Sequence, residues 1–320
     1  MITMHHDYLP HGSGPLVLIH GGAGNIGNAA AVGTTRQALY VGLQQSLIAA
    51  SQVLQDGGDA LAAALAAIAN LEDDPQFNAG YGAVCCADGG VELSASVMEG
   101  RSRRCGAVAG VRRCPRPAAL AASLLDHPHV LLFGAAAEAL AEPSCLPLID
   151  PAQLLTPRRQ QQLRELQQRQ GSLSLDHDGT ATVGVVVRDA QGWLLAITST
   201  GGLSGQLSGR IGDSPIPGHG TWADNHSCAV STTGMGEAFM RCATARAIHD
   251  RMTLLGEDAP TAAAKALDEV TQAQGEGGCL VLSAKGPSCL SFSSPHMLRG
   301  VWSPDNGARV AVGREALTEA

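Results

Sequence analysis

The sequence is poor in aromatic residues and in positive charge. Phe, Tyr and Trp make up 3% of the 320 residues, and 21 Lys and Arg stand against 29 Asp and Glu, for a formal net charge of −8. Proteins that bind the phosphate backbone of nucleic acids need clustered cations. We therefore expect no nucleic-acid partner. Hydrophobic residues, at 45%, are sufficient for the large core of a single globular domain.

Membrane spans, a secretory leader and zinc-site cysteine patterns are also missing. No apolar run approaches the roughly 20 residues that cross a bilayer, so we expect no membrane association. The first residues, MITMHHDYLPHGSG, lack the basic head and apolar stretch of a signal peptide. The nine cysteines form no CxxC pattern, and their odd number favours reduced thiols in the cytoplasm.

Glycine is abundant, at 39 residues, and short apolar runs bounded by glycine predict strands. Longer runs with helical spacing alternate with them, and strands open and close each half of the chain. This order predicts an α+β fold with two sheets between layers of helices. The predicted strands cover 15–20, 182–189, 193–202, 228–234, 279–284 and 289–294, and the predicted helices cover 34–55, 59–70, 237–255 and 261–274.

The segment 157–181 differs from its surroundings. Its first part, PRRQQQLRELQQRQG, is rich in Gln and Arg, and its second part is short and hydrophilic. Such a composition offers little that could anchor the segment to a core, so it predicts an exposed linker.

Thr182 lies where this linker meets a predicted strand. A threonine hydroxyl is a weak nucleophile, but cleavage before Thr182 would give the same residue a free α-amino group with a pKa of about 7.7–8.0. That amine could serve as the general base for the hydroxyl. An unremarkable strand threonine is the alternative, and only the neighbouring motifs argue against it.

Those motifs are hydroxyl- and glycine-rich. The next strand ends in Thr198–Gly202, and Ser231–Glu237 runs from a strand into a helix. A Thr-Gly pair at a helix N-terminus offers the hydroxyl and N–H donors of an oxyanion hole. Between these segments, Arg210 and Asp213 could bind the two charges of an amino-acid head group, although such a pair is more often a surface ion pair.

Seven motifs in order resemble the plant-type (type III) L-asparaginase/isoaspartyl peptidase family of N-terminal-nucleophile (Ntn) hydrolases. The resemblance spans nearly the whole chain apart from the linker. The motifs are HGGAG at 20–24, FNAGYGAV at 77–84, GAVAGV at 106–111, TVGVVVRDAQG at 182–192, TSTGG at 198–202, GRIGDSP at 209–215 and TGMGE at 233–237.

The resemblance implies a four-layer αββα sandwich and self-cleavage between Ala181 and Thr182. The products would be an α chain, 1–181, and a β chain, 182–320, which stay together and pair as (αβ)2. The catalytic residues would be Thr182, Thr200, Thr233 and Gly234, with the last two forming the oxyanion hole. The substrate would be bound by Asn78, Arg210, Asp213, Gly234 and Gly236, with Arg210 taking its α-carboxylate and Asp213 its α-amino group.

The same resemblance implies no cofactor for catalysis and a structural sodium ion. The ion would be bound by backbone carbonyls, which leave no side-chain pattern in a sequence. Its implied ligands are the carbonyls of Leu71, Glu72, Asp74, Phe77, Ala79 and Tyr81.

The activity implied is hydrolysis of β-aspartyl (isoaspartyl) dipeptides and of L-asparagine, with release of L-aspartate. The chain departs from the family pattern at Ala181, Ser94, Met235 and Pro295. Alanine before the nucleophile narrows the backbone conformations open to the cleavage step. The alternatives are a glycosylasparaginase, a peptidase specialised for the β-aspartyl-arginine units of cyanophycin, and an uncut, non-catalytic homologue that binds aspartyl ligands.

Overall fold

A computed structural model describes residues 4–25, 36–168 and 182–320. In these ranges the strands are β1 (His5–Leu9), β2 (Leu16–Gly24), β3 (Leu93–Glu99), β4 (Cys105–Val111), β5 (Leu131–Phe133), β6 (Val183–Arg188), β7 (Leu194–Thr200), β8 (Thr221–Ala223), β9 (Cys228–Gly234), β10 (Gly277–Ser283), β11 (Ser288–Phe292), β12 (His296–Ser303), β13 (Gly307–Gly313) and β14 (Thr318–Glu319). The helices are α1 (Arg36–Gln55), α2 (Ala60–Asp73), α3 (Pro117–Ala122), α4 (Gly134–Glu138), α5 (Pro157–Gln168), α6 (Gly236–Cys242), α7 (Thr244–Leu254) and α8 (Ala259–Gln272).

Within these ranges the strands form two sheets, one in the order β1-β11-β10-β9-β8 and the other in the order β14-β13-β12-β2-β6-β7-β3-β4-β5. Neighbouring strands are antiparallel except for the parallel pair β4–β5. The central strand of the larger sheet is therefore β6, which follows Thr182 directly. Among the described residues, no helix is both long enough and apolar enough to cross a bilayer.

Three hydrophobic cores separate four layers. One core packs α1 and α2 against the larger sheet, the second lies between the two sheets, and the third packs α7 and α8 against the smaller sheet. The predicted α+β fold with its αββα layers is confirmed. Val183, Val185 and Val187 face the first core and Val186 faces the second. This explains why β6 is a nearly continuous apolar run, since both of its faces are covered.

The bounds of two helices are set by hydrogen bonds, local ones for α2 and tertiary ones for α7. α2 begins after Asp59, whose carboxylate accepts from the N–H of Ala62 at 2.8 Å, as an N-cap does. The helix predicted over 237–255 is instead split into α6 and α7 at Ala243, which has a φ of +46°. The N-terminus of α7 donates to carbonyls of the loop between β7 and β8, with Arg246 N lying 2.7 Å from Gly218 O. These tertiary hydrogen bonds outweigh the continuous helical pattern.

The predicted linker is wrong for residues 157–168, which form α5. Leu163 and Arg159 are buried, and the guanidinium of Arg159 donates from Nε to Gly82 O at 2.7 Å. Burial lowers the pKa of Arg159 to about 9. The long apolar stem of arginine anchors the helix despite its polar composition. The remainder of the predicted linker, 169–181, lies outside the described residues.

Candidate active site

Thr182 lies at the N-terminal end of the central strand of the larger sheet, with only 7% of its surface exposed. Because β6 pairs with β7 with Val183 opposite Ser199, Thr182 comes beside Thr200 at the end of β7. Side chains alternate along a strand, so Thr182 shares the face of Val186, which points at the smaller sheet. The candidate nucleophile is therefore buried between the two sheets.

The hydroxyl of Thr182 has hydroxyl neighbours. Its Oγ1 donates to Thr200 Oγ1 at 3.0 Å and lies 3.4 Å from Ser214 Oγ. Thr200 Oγ1 also accepts from the N–H of Gly202 at 3.0 Å. Among the described residues, no imidazole or carboxylate is hydrogen-bonded to Thr182 Oγ1. A base that removes the hydroxyl proton has to come from elsewhere, and the α-amine of a residue-182 chain terminus meets that requirement.

Arg210 and Asp213 are brought together around Gly236. A Cβ placed on Gly236 would lie 2.9 Å from Arg210 Nη2 and 2.9 Å from Asp213 Oδ1. The glycine at the start of α6 thus leaves room for two opposite charges to approach one small space. An ammonium and a carboxylate on a single carbon would match this arrangement.

Each of the two charges has a partner in the structure. Arg210 donates from Nε and Nη2 to the two carboxylate oxygens of Glu237, at 2.9 and 2.8 Å. Asp213 Oδ2 accepts from Thr232 Oγ1 at 2.8 Å. Burial raises the pKa of the Asp213 carboxyl, against the opposing effects of the Thr232 hydrogen bond and the positive charge of Arg210. Glu237 is the residue of this cluster that the sequence did not single out for a role.

Thr233 and Gly234 end β9 in the smaller sheet, facing the end of β2. The Thr233 hydroxyl is buried and accepts from Ala23 N at 3.3 Å. Gly234 has a φ of +143°, and a Cβ there would lie 2.3 Å from Glu276 O. Only glycine fits this backbone, which places a hydroxyl and a main-chain amide side by side at the sheet end.

Asn78 braces the end of β7. Its Nδ2 donates to Gly202 O at 2.7 Å, and its Oδ1 accepts from Val84 N at 3.0 Å. Its own carbonyl accepts from Gly201 N at 3.0 Å. Both ends of the amide are used, so the loop that follows Thr200 is held by Asn78.

The loop implied to bind sodium is also near β7, because Glu72 at the end of α2 accepts from Ser199 Oγ at 2.6 Å. Burial raises the pKa of the Glu72 carboxyl to about 8. Within the described ranges, no group of three or more His, Cys, Asp or Glu side chains is arranged to hold a metal. The six predicted sodium ligands are backbone carbonyls and do not depend on such a group.

Several residues near Thr182 escaped prediction. His20 donates from Nδ1 to the Thr182 carbonyl at 3.0 Å, and its Nε2 lies 2.9 Å from Ser231 Oγ. The motif HGGAG contains His20, but no spacing rule connects it with a residue 162 positions away. Ser214, which follows the predicted Asp213 directly, was likewise not singled out.

The sequence departures lie at different distances from this cluster. Ser94 on β3 is registered opposite Thr200, with β7 between it and Thr182. Met235 precedes α6, with its N–H donating to Glu276 O at 3.0 Å. Pro295 is in the turn between β11 and β12, where its carbonyl accepts from Arg314 Nε. Ala181 lies outside the described residues.

Comparison with known proteins gives a family and a set of relatives. Residues 13–312 match the model of a family described as Asparaginase. An isoaspartyl peptidase of Salmonella typhimurium is 38% identical over 295 residues, covering 89% of this chain and 94% of the relative. An isoaspartyl peptidase of Escherichia coli K12 is 36% identical, covering 89% and 91%. An isoaspartyl peptidase/L-asparaginase of Rattus norvegicus is 35% identical, covering 88% and 84%.

Proposed function

Since the chain belongs to the asparaginase family of Ntn hydrolases, we propose that it is a self-cleaving threonine hydrolase of β-aspartyl dipeptides and L-asparagine. Each reaction would release L-aspartate. The observation that carries the proposal is the position of Thr182: a buried hydroxyl at the start of β6, bonded to Thr200 and 3.4 Å from the hydroxyl of Ser214, the residue after Asp213. The names of the relatives from Salmonella and Rattus support the substrate class.

The nucleophile would be activated by its own residue. Cleavage before Thr182 frees an α-amine that takes the proton of Oγ1, and the resulting oxygen attacks the side-chain carbonyl of the aspartyl group. An ester to Thr182 forms, the protonated amine passes its proton to the leaving amine or ammonia, and water then hydrolyses the ester. Thr200, which accepts from Thr182 Oγ1 at 3.0 Å, would hold the hydroxyl in the direction of attack.

The negative charge that develops on the carbonyl oxygen would be stabilised at the end of β9. The Thr233 hydroxyl and the Gly234 amide are the two donors proposed for it. Such preorganised donors stabilise the transition state because they require no reorientation during the reaction.

The substrate head group would be fixed by opposite charges around Gly236. Arg210 would take the α-carboxylate in the bidentate manner in which it holds Glu237, and Asp213 would accept from the α-ammonium. Asp213 must be ionised for this, and the arriving ammonium offsets the burial that raises its pKa. Asn78 would line the site from the loop after α2, where its side chain also holds the end of β7 through Gly202.

A structural sodium ion fits the loop from Leu71 to Tyr81, and we propose it there. The carbonyls of Leu71 and Glu72 are in the last turn of α2, where they lack intrahelical donors. A Cβ on Gly80 would lie 2.2 Å from Glu72 O, and one on Gly82 would lie 1.9 Å from Phe77 O, so the glycines keep these carbonyls uncovered.

Asp74 and Ala79 carbonyls each already accept one backbone N–H, and a carbonyl has a second lone pair for an ion. The full ligand set proposed is the carbonyls of Leu71, Glu72, Asp74, Phe77, Ala79 and Tyr81. When bound, the ion would neutralise the negative end of α2 and fix the loop that carries Asn78. A melting temperature that is the same in sodium and choline chloride would argue against it.

We also propose that the cut chain stays together and pairs as (αβ)2 in the cytoplasm. The pairing rests on the family resemblance, and light scattering that gives the mass of one chain would refute it. The compartment is supported by the thiols, since all nine cysteines are free and most are buried.

The decisive experiment replaces the nucleophile. Purified wild type should separate under denaturing conditions into chains of 181 and 139 residues and should release aspartate from L-asparagine and from an isoaspartyl dipeptide. Thr182→Ala should stay intact and release none, because both the hydroxyl and the new terminus are lost. Thr253→Ala, on α7, is the matched control and should behave as wild type. A Thr182→Ala protein that is still cut, or still active, would overturn the proposal.

A further inference from the structure

The core between the two sheets is interrupted by a row of buried polar side chains. Elsewhere this core is apolar, with Leu18, Val186 and Leu280 among its members. Polar groups in such a place destabilise a fold unless each is hydrogen-bonded. The row consists of Ser96 on β3, Thr198 on β7, His20 on β2, Thr221 on β8 and Ser231 on β9, all with no exposed surface.

The strand register produces this row. His20 is opposite Gly184, Gly184 is opposite Thr198, and Thr198 is opposite Ser96, so the four residues lie side by side across the larger sheet. From the smaller sheet, Thr221 and Ser231 are paired and face them. The two sheets thus meet through hydroxyls and one imidazole at this level.

Gly184 is what lets the two sheets meet there. A Cβ on this residue would lie 2.0 Å from Ser231 Oγ and 2.3 Å from His20 Nε2. The serine hydroxyl therefore fills the space that a side chain on β6 would occupy two residues after Thr182. Any larger residue would separate His20 from Ser231.

The hydrogen bonds that join Ser231, His20 and Thr182 have a fixed direction. A carbonyl only accepts, so His20 Nδ1 carries the proton that it donates to Thr182 O at 3.0 Å. Burial lowers the pKa of His20 to about 3, so the ring is neutral and its Nε2 accepts from Ser231 at 2.9 Å. Thr198 Oγ1 lies 2.7 Å from Ser231 Oγ, and its single proton has a second acceptor in Gly220 O at 3.0 Å.

Two further bonds complete the chain. Thr198 accepts from Thr221 at 2.6 Å, and Thr221 accepts from Ser96 at 2.7 Å. Ser96 has one proton and a second acceptor in Ser214 O at 2.5 Å, so the bonds with a fixed direction are those from Ser231 through His20 to the carbonyl of Thr182. Hydrogen bonds that run in one direction reinforce one another.

Resting on the proposed function, we propose that His20 and Ser231 are positioning residues for the nucleophile. The β6 ladders begin at Val183 toward β7 and at Gly184 toward β2, so Thr182 precedes the first registered pair. Once it becomes a chain terminus, Thr182 loses its covalent anchor on the N-terminal side. The imidazole then fixes its carbonyl, and with it the directions of Oγ1 and of the amine.

Two substitutions of His20 separate positioning from packing. The asparagine amide in His20→Asn reaches the place of Nδ1 and keeps a donor for Thr182 O, whereas His20→Gln reaches toward Ser231 and does not. Rates are expressed per chain cut at Thr182, counted by intact mass. We expect kcat to fall about 100-fold in His20→Gln with KM little changed, and His20→Asn to recover about tenfold of the loss.

A matched control comes from a second buried histidine–serine pair. His249 is on α7, outside the site, and its Nδ1 lies 2.5 Å from the Oγ of Ser227, the residue before β9. His249→Asn should leave kcat unchanged. Ser231→Ala keeps the hydrogen bond from His20 to Thr182 but removes the serine hydroxyl that is bonded to His20 Nε2. It should lower kcat by about 2- to 10-fold. It provides the test if neither His20 variant is cut.

Equal kcat in the two His20 variants, or wild-type kcat in a cut His20→Gln or Ser231→Ala protein, would overturn the inference while leaving the proposed function intact. Wild-type protein that is neither cut nor active would overturn the proposed function and, with it, this inference. The two failures are therefore distinguishable.

Discussion

Around Thr182 the candidate site is made of hydroxyls, whereas around Gly236 it is made of charges. The nucleophile contacts Thr200 and Ser214 and is held through a neutral histidine. On the other side, Arg210 is paired with Glu237. On the proposed function this difference separates two tasks: neutral hydroxyls would orient the reacting oxygen without taking its proton, and fixed charges would bind a zwitterion. Substitutions on the two sides should therefore affect kcat and KM separately.

The largest effect is expected on the hydroxyl side. Thr200→Val keeps the shape of the side chain but removes the acceptor of the Thr182 hydroxyl and of Gly202 N–H. We expect kcat per cut chain to fall about 100-fold, with KM nearly unchanged, in steady-state assays with an isoaspartyl dipeptide. A rise in KM with an unchanged kcat would show that the hydroxyl side does not act on the chemical step alone.

The charged side should give the reverse pattern. Arg210→Lys retains the charge but loses the bidentate geometry, so we expect KM to rise about 10- to 100-fold, as for the loss of a hydrogen bond to a charged group. kcat should change little, because the guanidinium contacts the head group and not the reacting carbonyl. A fall confined to kcat would contradict the assignment of Arg210.

The pH dependence of kcat/KM should show a smaller effect, which also comes from the charged side. The raised pKa of Asp213 means that its carboxyl becomes protonated at a higher pH than usual as acid is added, and the protonated form no longer attracts an ammonium. Hence kcat/KM should fall on the acid side through that pKa, in addition to the fall caused by protonation of the Thr182 amine.

Asp213→Asn should lower kcat/KM and remove only the Asp213 step from its pH profile. The acid limb of kcat, which reports the substrate complex, should persist in the variant. A kcat/KM profile that keeps the wild-type shape in Asp213→Asn would exclude Asp213 as the titrating group.

Much of the fold follows from short-range patterns in the sequence. The apolar run of β6 and the capping aspartate of α2 predict those elements directly. The break at Ala243 and the burial of Arg159 do not follow, because each depends on a carbonyl supplied by a distant loop: Gly218 for α7 and Gly82 for α5.

The candidate site divides in the same way. Thr182, Arg210 and Asp213 could be predicted as site residues because each lies in a short sequence motif. The bond between His20 and Ser231 joins residues 211 positions apart. Only the register of β2, β6 and β7 shows that Gly184 makes room for it. No local pattern carries that information.

The strand order of the larger sheet has a consequence for a protein cut before Thr182. From one edge to the other, β14-β13-β12 come from the second fragment, β2 from the first, β6-β7 from the second and β3-β4-β5 from the first. The strands of the two fragments alternate in the sheet, so neither fragment can dissociate without breaking the hydrogen bonds of the β12–β2, β2–β6 and β7–β3 pairs together. The two fragments would thus stay together after cleavage. Once denatured, however, they would have to refold as two separate chains into a sheet that the uncut precursor had formed as one chain.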